Sequence, residues 1–429
     1  MTTLSVSSSR PAETSFVLAA TLVASTLFLV AWGVLHRGFF THDRIIDTPV
    51  YESYGSAIDS GQVPYRDFAL EYPPGALPVF ALPALGGAHG DAFRRRFELE
   101  MAFLGEVIVI CLAVALVALG AERRRVLAVL ALAALAVVAL GPVVLSRFDL
   151  WPAALTAAAL AAILSGRLRL GHLALGAAVA AKLYAAVLVP LTIVYVWRRF
   201  GRREALICGG LLLAVVAAAW VPFLVLAPHG VWHSFWVQAS RPLQIESLGA
   251  ALLLAAHHTF GLGLTMDSSH GSQNLAGAGP DTLALVLSVL QLAALLATWI
   301  LFARGPATRE RLLLASAAAV VAFVAFGKVL SPQFLIWLIP VVPLVAGRRG
   351  LIASLLLAAA LVVTQLWFPY RYWELVLHFG ALESWLVLIR DLVLVALFAY
   401  LARGLVERNA KAPLAVPSSG RAGSARASV

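Results

Sequence analysis

An all-α, polytopic transmembrane helical bundle is the fold class this sequence predicts, and three observations carry it. Of 429 residues, 61% are hydrophobic and only 13% charged, against about a quarter charged in a soluble domain. Apolar runs of about 18 to 23 residues recur, the length at which a helix crosses the hydrocarbon core. Arg-rich clusters sit in short connections between those runs, as the positive-inside rule requires. About twelve crossings, both termini cytoplasmic, account for all three. Residues 1–408 read as one transmembrane domain and 409–429 as a disordered cytoplasmic tail rich in Ser, Ala, Gly and Arg.

The elements follow in order. Span 1 runs from about Phe16 to Leu35 and is too long, with no small-x-small site after it, for a cleaved signal peptide. An acidic outer loop, 36–97, follows. Within it Gly75 to Gly87 is apolar, but it holds Pro78 and Pro83 and is too short to cross, so it reads as juxtamembrane or re-entrant. Span 2 ends at Arg123-Arg124-Arg125, which marks the inside; span 3 is Val126 to Leu145, and span 4 returns to Gly166-Arg167-Leu168-Arg169. Arg94-Arg95-Arg96 then falls outside and breaks the charge rule.

The stretch from His172 to Trp197 has basic clusters at both ends. One span cannot begin and end inside, so two half-length helices turning near Lys182-Leu183-Tyr184 are expected. Span 7, Ala205 to Leu226, leads to a second large outer loop, 227–281. In it Ser247 to Phe260 reads as interfacial and Asp267 to Gly279, rich in Gly, Ser and Asn, as a mobile tip. Spans 8 to 12 end near Arg304, Phe326, Arg348-Arg349, Phe368 and Arg403.

Composition also excludes function classes. The net charge of +10 is a product of span-flanking Arg, so no nucleic-acid partner is implied. Cys111 and Cys208 both lie in apolar runs, which argues against a disulfide or metal centre. His257-His258 point about 100° apart on a helix and have no carboxylate at i+4, so no metal site is expected. Trp232, Trp236, Trp337, Trp367, Trp373 and Trp385 read as an interfacial aromatic belt. Arg390 and Asp391, inside the last span, are adjacent and each is expected to pair with another helix.

The chemistry-bearing residues gather at outer span ends. The first loop crowds together Asp43, Asp47, Asp59, Asp67 and Glu71, which a mere tether does not need. Asp47 is the candidate base, or else the N-cap of a helix that Thr48-Pro49 opens. Asp43, flanked by His42 and Arg44, is its rival. Asp43, Tyr51, Asp67, Glu71 and Tyr72 are candidate acceptor contacts, with Asp67 and Glu71 holding Arg66, or a solvated loop, as the plainer explanations for the charges. Generic positive charge here is written as Arg; the only Lys are Lys182, Lys328 and Lys411. A Lys within a span is costly, and two of the three fall at outer helix turns. Lys182, Lys328 and Arg241 are therefore the candidate phosphate contacts, against snorkelling for the lysines and pairing with Glu246 for Arg241.

An ordered set of short motifs carries a family resemblance: Asp47-x-x-x-Tyr51, Gly61-x-x-Pro64-Tyr65, Glu71-Tyr72-Pro73-Pro74, Arg147-x-Asp149, Lys182-Leu183-Tyr184, the run Arg241 to Ser247, and Lys328-x-x-Ser331-Pro332-Gln333. With it the chain resembles the GT-C superfamily of integral-membrane glycosyltransferases, and most of all family 87, the polyprenyl-phosphate-mannose-dependent type. The resemblance spans most of the chain. It implies a GT-C-type bundle with extracytoplasmic juxtamembrane helices, in a bacterial plasma membrane. It implies transfer of a sugar from a lipid phosphate carrier to a cell-envelope glycolipid or glycan on the outer side. The first-loop carboxylate is then catalytic, a role that maps onto Asp47. No cofactor is implied beyond the lipid-linked donor, and mannose is the expected sugar, with glucose or arabinofuranose as alternatives. The chemistry is consistent: a carboxylate takes the acceptor's proton and cations offset charge on the leaving phosphate. The competing functions are a transporter or lipid flippase, which usually shows inverted repeats, and a non-catalytic assembly protein, which has no use for the acidic loop.

Overall fold

The computed structural model describes residues 12–42 and 45–410. Asp43 and the tail from Lys411 lie outside the described residues.

The described chain is almost entirely helical. Helix α1 (Thr14–Val34) precedes two short helices of the first loop, α2 (Thr48–Asp59) and α3 (Leu77–Ala84). Then come α4 (Asp91–Ala118), α5 (Arg123–Leu140), the single turn α6 (Val143–Ser146), α7 (Leu150–Leu164) and α8 (Leu168–Ala181). Helices α9 (Val189–Phe200) and α10 (Arg202–Leu226) lead to α11 (Pro228–Ala239) and α12 (Leu248–Phe260) of the second loop. The chain closes with α13 (Ala278–Arg304), α14 (Arg309–Ala325), α15 (Gly347–Trp367), α16 (Tyr372–His378) and α17 (Ala381–Ala410). Among the described residues, seven helical segments are long and apolar enough to cross a membrane: α1, α4, Leu183–Phe200, α10, α13, α15 and Ala381–Glu407. Exposed leucines, valines and isoleucines stud α1, α10 and α13, a surface suited to lipid contact. By contrast almost every residue of α14 is buried, which makes it the axis of the bundle.

Side chains tie helix ends together at two opposite faces. At one face Arg123 pairs with Glu13 at 3.5 Å, and Arg309 donates to the carbonyl of Ala118 at 3.0 Å. On that face, too, Arg349 pairs with Glu407 and Arg169 with Glu204. At the other, His36 meets Glu98 at 3.1 Å. The Arg169–Glu204 pair, 2.9 Å, joins the start of α8 to the start of α10. The intervening chain therefore leaves this face and returns to it, as the basic clusters at both ends of that stretch demand. The break is at Lys182, which is extended (φ −160°, ψ 128°), followed by a 3-10 turn, Leu183–Leu188.

The segment expected as span 10 is not an α-helix. Residues Pro332–Leu338 and Val342–Leu344 are 3-10 turns. Pro332, Pro340 and Pro343 each remove a backbone donor, which starves the i→i−4 ladder. Shorter bonds such as Ile339 N–H to Ile336 O and Leu344 N–H to Val341 O take its place. Such irregular backbone is tolerable within a bilayer only when surrounded by protein, and Leu335–Leu338 are buried.

The apolar piece of the first loop, helix α3, stays at the His36 face. Gly75 O, just before it, accepts from Trp151 Nε1, and Gly87 N–H, just after it, donates to Asp59. It packs on α2 through Gly55, where an added Cβ would come within 2.2 Å of the Phe80 carbonyl.

Three further expectations are corrected. The tip expected to be mobile is instead a hairpin, β2 (Thr265–Ser269) and β3 (Ser272–Ala276), which pairs with β1 (Leu243–Gln244) in the order β1-β3-β2. Asn274, fully buried, donates to the carbonyls of Ser269 and Ser272 and holds its turn. Trp337 and Trp367 are buried and so form no interfacial belt, whereas Trp232, Trp236 and Trp373 are more than half exposed. Arg390 and Asp391 do face each other, Nε to Oδ1 at 2.6 Å. Both groups are fully buried, where an unpaired charge would be costly, and Arg390 also donates to the Glu246 carbonyl at 2.6 Å.

Candidate functional site

A cavity of about 500 Å³ lies among the first loop, the Arg147 loop, the Lys182 break, the second loop and the Lys328 turn. Its wall includes Asp47, Glu71, Tyr72, Arg147, Lys182, Arg241, Glu246 and Lys328. Three carboxylates and four cations thus share one hollow, drawn from chain segments up to 281 residues apart in sequence (47 to 328).

Asp47 stands at the N-terminus of α2, and its backbone carbonyl accepts from Val50 and Tyr51. Its side chain, however, makes no capping bond. The carboxylate turns instead to Arg147, with which it forms an ion pair, and to the Tyr51 hydroxyl at 3.4 Å. Tyr51 is fully buried, stacked on Phe80 (centroids 4.8 Å) and edge-on to Phe148. Burial raises its pKa well above the ordinary phenol value, so it remains a donor. The sequence motif Asp47-x-x-x-Tyr51 is then a carboxylate with its orienting donor one helical turn on.

The Tyr72-Pro73-Pro74-Gly75 turn brings Glu71 and Tyr72 to the cavity. Gly75 seats on the end of α8 so closely that a Cβ would fall 2.4 Å from the Ala180 carbonyl carbon. The Tyr72 carbonyl accepts from the Tyr65 hydroxyl at 2.5 Å, and the Glu71 carbonyl from Gln238 of α11 at 3.3 Å.

Lys182 is pinned rather than free. Its ammonium bonds Asp149 Oδ1 at 2.6 Å, and the same oxygen accepts from Trp337 Nε1 at 2.7 Å. The rings of Phe148, Trp337 and Phe334 lie 4.5, 5.0 and 5.7 Å from Nζ, within cation–π range. Trp337 in turn stacks on Tyr184 at 4.3 Å with ring planes 4° apart. Snorkelling to the interface is therefore not what this side chain does.

Arg241 does not pair with Glu246. It donates from Nη2 to the carbonyl of His270 at 2.8 Å, and Lys328 donates to the carbonyl of Ala239 at 2.8 Å. Glu246, 2% exposed, is bonded by the Gln244 amide, and burial pushes its carboxyl up to about 8.

The sequence-predicted residues thus divide. Asp47, Glu71, Tyr72, Lys182, Arg241 and Lys328 line the cavity. Tyr51 stands behind Asp47 and does not reach the lining. Asp67 points elsewhere: it pairs with Arg66 at 2.9 Å and accepts from Val63 N–H, contacts that hold its carboxyl down to about 2. Those bonds fix the loop's own turn, which explains Asp67 without a ligand. Residues that the sequence reading did not name as catalytic, acceptor or phosphate contacts also belong here: Arg147, Gln244, Glu246 and Trp337 on the wall, and Asp149 behind Lys182. Arg147 had a usable signal, a cation on the outer side where the charge rule places few. His257 and His258 bond Leu262 O and Ser384, and among the described residues no cluster of metal-ligating side chains occurs.

No protein-family model matches this chain, and no curated protein matches it.

Proposed function

We propose that the protein is a membrane glycosyltransferase. In this reading it moves a sugar, mannose first among the candidates, from a polyprenyl-phosphate carrier to a cell-envelope glycolipid or glycan acceptor. The chain crosses a bacterial plasma membrane about twelve times as a GT-C-type bundle. The Arg-tied face and both termini are cytoplasmic, and the cavity opens on the extracytoplasmic side. What supports this is the cavity's content: a carboxylate with an orienting partner, Asp47 with Tyr51, in one hollow with four cations.

The reaction uses these groups in order. The Asp47 carboxylate takes the proton of the acceptor hydroxyl as its oxygen attacks the anomeric carbon. The bond from that carbon to the lipid-phosphate oxygen breaks, and its electrons leave with the phosphate. Cations on the wall offset the charge that develops there, an interaction that gains strength where water is excluded. Arg147, ion-paired with Asp47, holds that carboxylate at the cavity wall.

The test is transfer itself. Purified protein is incubated with polyprenyl-phosphate-mannose and cell-envelope lipids, and a new glycolipid one hexose heavier is sought by mass spectrometry. Folded protein that transfers neither mannose, glucose nor arabinofuranose from its polyprenyl carrier would overturn the reading. The breaks at Lys182 and at Pro332–Leu344 are of a kind that transporters also use. Movement of the lipid between leaflets of protein-containing vesicles, without transfer, would favour a flippase.

A further inference from the structure

Charge bookkeeping within the cavity separates its four cations into two kinds. Arg147 is neutralised by Asp47 and Lys182 by Asp149. Arg241 and Lys328 bond only backbone carbonyls, and among the described residues neither has a carboxylate within ion-pair distance. These two are therefore the wall cations that no ion pair offsets, and Glu71, beside Gly271, is not within ion-pair distance of either. They are also tied to one another through the backbone, since Gln244 N–H, three residues after Arg241, donates to the Lys328 carbonyl at 3.0 Å.

The same short segment carries two unsatisfied side-chain oxygens. Gln244 is 5% and Glu246 2% exposed, both line the cavity, and each has an Oε1 without a hydrogen-bond donor. Buried polar atoms are paired in the great majority of cases, so two orphan oxygens side by side, an amide acceptor and a carboxyl that can give or take a hydrogen bond, ask for a ligand that donates as well as accepts. Phosphate esters and polyprenyl chains offer no donor. Sugar hydroxyls do. The pair is rigidly held: Gln244 Nε2 bonds Glu246 Oε2, Ile245 N–H bonds the Gln273 carbonyl at 3.0 Å, and Arg390 reaches the Glu246 carbonyl at 2.6 Å. Burial of the Glu246 carboxyl favours its neutral form near neutral pH, so it does not cancel the charge of Arg241 and Lys328, and its Oε1 can give a hydrogen bond to a sugar hydroxyl as well as take one.

We infer that Arg241, Gln244, Glu246 and Lys328 form a glycosyl-phosphate cradle, in which Arg241 and Lys328 take the phosphate and Gln244 and Glu246 read the hydroxyls of the sugar attached to it. The inference rests on the glycosyltransferase reading and sharpens it, because it assigns donor selection to the second loop and leaves the first loop to the acceptor.

Two lipids of equal charge separate the halves of the cradle: polyprenyl mannosyl phosphate and polyprenyl methyl phosphate. Binding to the full-length protein in detergent is followed by tryptophan fluorescence, for which Trp220 and Trp373 on the cavity wall are reporters. Arg241→Gln and Lys328→Met are expected to weaken both lipids by a similar factor. Gln244→Leu and Glu246→Leu are expected to weaken the mannosyl lipid about tenfold, the scale of one hydrogen bond, and to leave the methyl lipid unchanged. Two separate hydroxyl-side variants guard against one that misfolds. Equal effects of the hydroxyl-side variants on both lipids, or none on either, overturn the cradle. Sugar transfer by the wild type in that event leaves the transferase reading standing. A wild type that binds neither lipid and transfers nothing sinks both.

Discussion

At the scale of single residues, Asp47 and Lys182 make opposite demands on a mutational test. Asp47 makes no capping bond with its side chain, so Asn, which caps as well as Asp, has no helix end to preserve. Asp47→Asn is expected to cut turnover at least about 100-fold in the folded fraction, although it also leaves the buried Arg147 without its carboxylate, while Asp43→Asn is milder. Donor-dependent glycolipid formation at matched protein levels measures this, and an active Asp47→Asn enzyme would remove Asp47 from the role of base. Lys182 needs a different design because its partner Asp149 is fully buried. Lys182→Ala strands that carboxylate, a loss of about 3–5 kcal/mol where a buried pair is broken from one side. Thermal unfolding in detergent should show the single variant destabilised and Lys182→Met with Asp149→Asn largely restored. If the double variant is as stable as wild type yet has lost donor turnover, Lys182 acts on substrate; if turnover is also intact, the pair is structural only. The contact between Asp47 and Tyr51 was within reach of the sequence because the two stand one helical turn apart in Asp47-x-x-x-Tyr51, although Tyr51 was read there as an acceptor contact. The Lys182–Asp149–Trp337 cluster was not, because the partners of Asp149 lie 33 and 188 residues along the chain and no local pattern joins them.

At the scale of elements, the helices were legible wherever hydrophobic length and Arg clusters agreed. Even the out-and-back course through Lys182 followed from basic ends on both sides of one apolar stretch. Two kinds of element escaped. The Pro332–Leu344 segment has the composition of a span, and only the spacing of its prolines turns it into 3-10 backbone. The β2–β3 hairpin has the composition of a loose tip; its order comes from β1, more than 20 residues earlier (Leu243 opposite Leu275). The Pro73-Pro74-Gly75 turn is the element on which the first loop's placement depends. Gly75→Val is expected to lift it off α8, since the obstructing atoms are the Ala180 and Ala181 backbone and cannot give way. Turnover should fall while the bundle still elutes as a folded species in size-exclusion chromatography. Gly33→Ala, with open space around it, is the silent control. Full activity in Gly75→Val would mean that the loop reaches the cavity without this contact.

At the scale of the whole molecule, the distribution of charge gives the bundle a polarity that one experiment reads. Arginines bind helix ends at one face, and the cavity, with its Asp47, Lys182 and Lys328, belongs to the other. Net positive short connections stay on the cytoplasmic side, so the cavity face is expected outside. Arg94-Arg95-Arg96 is the exception, lying at the cavity-face end of α4, where Arg96 donates to the Leu85 carbonyl at 2.6 Å and Arg94 pairs with Asp91. Those bonds give part of that cluster local partners and soften its conflict with the charge rule. The probe positions must be chosen from packing: Gly55 faces the Phe80 carbonyl, so a cysteine there would disturb the loop it reports on. Ser60 and Ser165 are exposed, one at the end of α2 and the other at the end of α7. With Cys111 and Cys208 replaced, Ser60→Cys is expected to react with an impermeant maleimide on intact cells. Ser165→Cys should react only after permeabilisation. The reverse pattern would place the cavity in the cytoplasm, where a polyprenyl-phosphate donor presented from outside has no access, and the proposed reaction would fall with it.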